Sequence, residues 1–82
     1  MERSSFQKLN KAEKYRILKE RGKFLASRMH GGFTVGLFGL DGFYVEVWKR
    51  IGLDYIDYIE VVMELSRLDL YTQDINLPDF LA

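Results

Sequence analysis

The chain has 82 residues, 48% of them hydrophobic and 15% aromatic, and it contains no cysteine. That length accommodates one domain, the composition is too apolar for a disordered chain, and the missing thiols exclude disulfides and thiolate zinc sites. Formal net charge is zero, yet residues 1–30 hold nine cations against three acids and residues 31–82 hold three against nine. The two halves therefore attract each other at close range, or the basic half meets an acidic partner.

The start, Met1-Glu2-Arg3-Ser4-Ser5, is polar and leads into no apolar h-region. No apolar run approaches the ~20 residues of a bilayer span. We expect a cytoplasmic protein with no membrane partner, built as a single domain over 1–82 with residues 1–9 as a loose lead-in.

Asn10 and Glu13 are spaced as a capping box, with Asn in place of the usual Ser or Thr. Tyr15, Ile17 and Leu18 supply apolar positions, and Gly22 follows Lys19 and Arg21. This pattern predicts a helix over 10–21 that ends in a left-handed glycine cap.

The period then changes. Phe24–Met29, Phe33–Leu40 and Phe43–Lys49 read as strands separated by His30-Gly31-Gly32 and by Asp41-Gly42. A two-residue Asp41-Gly42 loop pairs Leu40 with Phe43 and places Val35 and Leu37 beside Glu46 and Trp48, so both faces are mixed. A three-residue Leu40-Asp41-Gly42 loop puts Phe33, Val35, Leu37, Phe43, Val45 and Val47 on one face. Thr34, Gly36, Phe38, Tyr44, Glu46 and Trp48 then share the other. The second arrangement gives one wholly apolar face, and we prefer it.

Residues 55–62 favour a fourth strand through their β-branched residues and tyrosines, although Asp54 and Asp57 also suit the start of a helix running to Tyr71. Ser66 is placed to cap a final helix over about 66–75, with Leu68, Tyr71 and Ile75 inward. Pro78 ends it, and an apolar tail, 76–82, remains. The predicted fold is α+β: an N-terminal helix, a three- or four-stranded antiparallel β-meander and a C-terminal helix, with helices covering one sheet face.

Arg21-Gly22-Lys23-Phe24-Leu25-Ala26-Ser27-Arg28, followed by the run from Leu37 to Trp48, resembles a group of small uncharacterised bacterial proteins. The similarity runs from the first helix to Asp74-Ile75-Asn76-Leu77. It implies a shared fold with 55–62 as a strand, and it brings no activity, substrate or site.

Residues with chemical capability are sparse. His30, the only histidine, sits in a Gly-Gly turn with no nucleophile at a useful spacing. Gly36, Gly39 and Gly42 lie in a hairpin, whereas a phosphate loop needs glycines between a strand and a helix N-terminus. Asp54, Asp57 and Glu60 lack the spacing of a calcium loop, and in a strand Asp57 and Glu60 point to opposite faces. We expect no catalytic residues, no cofactor and no metal.

Two binding features remain. The cations of the first helix flank its apolar seam: Lys14 and Arg21 fall between Ile17 and Leu18, and Lys11 lies next to Leu18. That arrangement suits stems lying over the protein's own acidic half, and serves a nucleic-acid partner less well. The stronger feature is the second sheet face, where Phe38, Tyr44 and Trp48 surround Glu46, with Phe24 and Arg28 joining in one register of the first strand. Aromatic faces of this kind are interfaces. We expect Phe24, Arg28, Phe38, Tyr44, Glu46 and Trp48 to contact a protein partner or a second copy. The competing expectation is that the tail, with Leu77, Phe80 and Leu81, folds back over them.

Overall fold

The computed structural model describes residues 1–53 and 55–71. Two helices, α1 (Arg3–Gln7) and α2 (Lys11–Arg21), precede four strands, β1 (Lys23–His30), β2 (Phe33–Leu40), β3 (Phe43–Arg50) and β4 (Ile56–Val61). The strands form one antiparallel sheet in the order β1-β2-β3-β4. The fold is thus α+β with a four-stranded meander, and residues 55–62 supply a strand.

The start of the chain is not a loose lead-in. Residues Arg3–Gln7 coil into a helix because Phe6 has a core site to fill: it is fully buried and its ring lies 5.8 Å from that of Phe43. The capping box is present as expected, with the Glu13 amide donating to Asn10 Oδ1 at 2.8 Å and the Asn10 amide donating to Glu13 Oε1 at 3.1 Å. The cap at the other end differs from expectation. Gly22 is extended, with φ −76° and ψ 154°. Glycine is needed there for clearance, since a Cβ would lie 2.7 Å from the Leu18 carbonyl oxygen.

The Asp41-Gly42 loop has two residues, not three. Leu40 pairs with Phe43, and both loop residues have positive φ, 47° at Asp41 and 90° at Gly42. That is a type I′ turn, whose twist matches that of the flanking strands. This register overturns the preferred face assignment. The inner face, under the helices, carries Phe38, Leu40, Val45, Val47, Ile59 and Val61 packed with Phe6 and Leu18. The outer face carries Val35, Leu37, Glu46, Trp48 and Tyr58.

The inner core does not rest on α2's apolar residues alone. Lys11 and Lys14 donate through Nζ to the carbonyls of Ile56 and Ile59, at 2.9 and 3.3 Å. These ammonium groups anchor the helix to β4, which is an edge strand, and occupy acceptors that another strand would otherwise use. After β4, residues Leu65–Leu70 form a 3-10 helix, η1. The expected helix over 66–75 is therefore replaced by η1 as far as the described residues reach. The rest of that helix and the tail 76–82 lie outside them.

Candidate functional site

The mixed outer face contains a charged group at its centre. Glu46 is the only buried charged residue among those described and has no exposed surface. Stripping water from a carboxylate is prohibitive unless hydrogen bonds replace it. Three donors do so: Tyr71 Oη at 2.5 Å, Arg67 Nη1 at 2.7 Å and Arg28 Nη2 at 3.3 Å. Arg67 Nη1 also reaches Glu60 at 2.8 Å. Burial alone pushes the Glu46 carboxyl up; the Tyr71 hydroxyl and the two guanidinium groups outweigh it and hold the carboxyl below the usual glutamate value. The same contacts raise Arg67, while burial and the neighbouring carboxylate raise the Tyr71 hydroxyl.

These bonds explain why η1 lies across the outer face. Arg67 and the residue just after η1, Tyr71, both end on a β3 carboxylate. The unfavourable mixed register is accommodated because the one acid it buries is fully bonded. Arg67, Tyr71, Tyr58 and Glu60 were all missed by pattern reading, which placed Arg67 and Tyr71 on a regular helix and Tyr58 and Glu60 on a plain edge. The available signal was the isolated Glu46 between Val45 and Val47, which needs a cation from elsewhere when its face is covered.

Beside this cluster lies an aromatic group. Trp48 stacks on Tyr58 with centroids 5.1 Å apart and planes 14° from parallel. His30 and Phe33 meet Trp48 edge-on at 5.6 and 5.5 Å. The Arg28 guanidinium lies 5.4 Å from both the Trp48 and the Tyr71 rings. Of these, Arg28, His30, Trp48 and Tyr58 line an open depression of about 490 Å³, whose lining is completed by Glu60, Arg67 and Leu70. His30 is exposed and lines the depression, as the last residue of β1 and not as part of the Gly-Gly turn.

Two buried donors here have no acceptor among the described residues: the Trp48 indole N–H and the Arg28 Nε–H. Each such omission costs on the order of 1–3 kcal/mol.

The six expected interface residues separate into two groups. Arg28, Tyr44, Glu46 and Trp48 share the outer face, but Phe24 and Phe38 lie on the inner one. Phe38 is buried and meets Phe24 edge-on at 5.5 Å. Two features move them: the two-residue turn sets Phe38 inward, and a bulge at Leu25 reverses the alternation between Phe24 and Ala26. Trp48 is only 7% exposed, so it floors the face and is not a projecting anchor.

Comparison of the chain with family models, with curated proteins and with solved structures gives no match. No helix among the described residues is long and apolar enough to cross a membrane.

Proposed function

We propose that this chain is a non-enzymatic interaction module that self-associates through the outer face of its sheet. The observation that carries the reading is apolar surface that the described residues leave uncovered beside the buried Trp48. Tyr58 and Leu70 border the depression at 40% and 54% exposure, and Leu65, on the same short helix as Leu70, is 68% exposed. Apolar surface grouped around a rigid aromatic floor suits a protein interface better than catalysis. A second copy is the favoured occupant because net charge is zero, so copies do not repel one another at neutral pH. Another protein partner would use the same surface.

The rim, and not Trp48, is the place to test this, because changing a buried indole disturbs folding. Light scattering at increasing concentration should give a mass approaching twice the 9.7 kDa of one chain. The double variant Tyr58→Asp, Leu70→Asp should remain at the single-chain mass with an unchanged circular dichroism spectrum. A wild-type chain that stays monomeric at millimolar concentration overturns self-association.

Nucleic-acid binding through α2 receives less support. Lys11 and Lys14 donate to strand carbonyls, and Arg21 pairs with Asp41 at 2.5 Å. Three cations of that helix thus act within the protein.

A further inference from the structure

Among the described residues the helices favour part of the sheet's inner face: α1 and α2 pack chiefly over β2 and β4. On β1, Arg28 points to Glu46 on the outer face, so its neighbours Ser27 and Met29 point inward, on the same side as Phe24. Phe24 is half-buried and Met29 is exposed. Gly36 stands beside Ser27 in the next strand, with Val47 beyond it. This row is therefore one side chain short at Gly36, and a strand glycine of this kind accepts the close approach of another group.

We infer that the β1 side of the inner face is the docking site of the chain's own C-terminal segment, 72–82, with the Phe80 ring seated over Gly36 beside Phe24. The path of the chain leads there. Across the outer face η1 runs from β4 toward β1: Arg67 bonds Glu60 and Glu46, and Tyr71 bonds Glu46 with its ring 5.4 Å from the Arg28 guanidinium. Tyr71 is extended, with φ −98° and ψ 130°, so the chain leaves η1 on the β1 side as open strand-like backbone. Residues 72–79 reach ~26 Å when extended, and a passage from a layer on one face of a sheet to a layer on the other takes ~20 Å. The chemistry agrees with the path. The segment carries Ile75, Leu77, Phe80 and Leu81, and its charged side chains are Asp74 and Asp79, whereas residues 21–30 carry Arg21, Lys23 and Arg28 and no acid. A second copy's β1, equally cationic, would be repelled from this edge. Self-association through the outer face does not use this surface.

Proton contacts measured by nuclear magnetic resonance in the full-length wild-type chain test this docking. The sample is dilute, at a concentration where light scattering gives the single-chain mass, so the outcome is independent of self-association. The Phe80 ring should show Overhauser contacts to the Gly36 Hα protons and to the Phe24 ring, and should move one Gly36 Hα resonance upfield. Phe80→Ala should abolish that upfield shift and lower the thermal midpoint by about 4–8 °C while the spectrum stays dispersed. If that variant fails to fold, the contacts in the wild-type chain still decide the matter. Contacts from Phe80 to Trp48 and Tyr58 would place the segment on the outer face and overturn the inference. So would contacts seen only between labelled and unlabelled chains in a mixed sample, a Phe80 ring with no contact to the sheet, or a midpoint that Phe80→Ala leaves unchanged.

Discussion

Glu46 shows how one residue shapes its surroundings. Its partners lie 18, 21 and 25 positions away along the chain, so its charge links β1, β3, η1 and the segment after η1. Its pKa is lowered by folding, which fixes the sign of the pH dependence. A group whose folded pKa lies below its unfolded one contributes stability that is fully present above the unfolded value. That contribution is lost as pH falls through the folded value. Urea unfolding at decreasing pH should therefore show a loss of stability that begins in the ordinary glutamate range and continues below it. Glu46→Gln should lower stability by about 3 kcal/mol at neutral pH, because two guanidinium groups lose a buried counter-charge, and should flatten that acid limb. An unchanged acid limb in the variant would assign it to other carboxylates, of which Asp41 is one candidate. The terminal ammonium bonded to Asp41, followed by Arg21, also lowers its pKa.

At the scale of elements, the β2–β3 turn governs the whole arrangement. A strand slipped by one residue exchanges its faces, so the two left-handed residues Asp41 and Gly42 determine that Phe38 faces the helices and Glu46 faces η1. Gly42 at φ 90° is the position where a Cβ is penalised. Gly42→Ala should cost about 1–2 kcal/mol in thermal or urea unfolding. A neutral substitution would show that the turn is not type I′. The three-residue alternative failed because it was chosen for the uniformity of one face. Tyr71 and Arg67, whose positions pattern reading could not supply, made the mixed face affordable. The fourth strand was legible, since Ile56, Tyr58, Ile59 and Val61 favour extended backbone and lie between two loops. The helix α1 was not legible: five residues with one aromatic have no period to read, and only the inner core gives Phe6 a site.

Across the whole molecule, the opposed charges of the two halves are joined inside the fold. Arg28 meets Glu46 and Arg21 reaches Asp41, while Lys11 and Lys14 turn onto carbonyl oxygens of β4. Cations engaged in this way contribute less to a field over an external polyanion. Passage over immobilised DNA or heparin at low salt should give no salt-sensitive retention. Retention lost steeply with added salt would instead assign a phosphate-binding role to the cations of α2.

The sequence by itself determined the elements and their order: a capped helix, a meander broken at Gly31-Gly32 and Asp41-Gly42, and a fourth strand. Those signals act over a few residues, through a side chain bonding an amide three positions on or a glycine tolerating positive φ. Tertiary structure alone decided which way each strand faces, that Phe24 and Phe38 enter the core, and that Glu46 and Trp48 lie beneath η1. The reason is physical. The burial of a charge is decided by whether distant donors converge on it, and for Glu46 those donors meet only once the sheet has closed and η1 has crossed it.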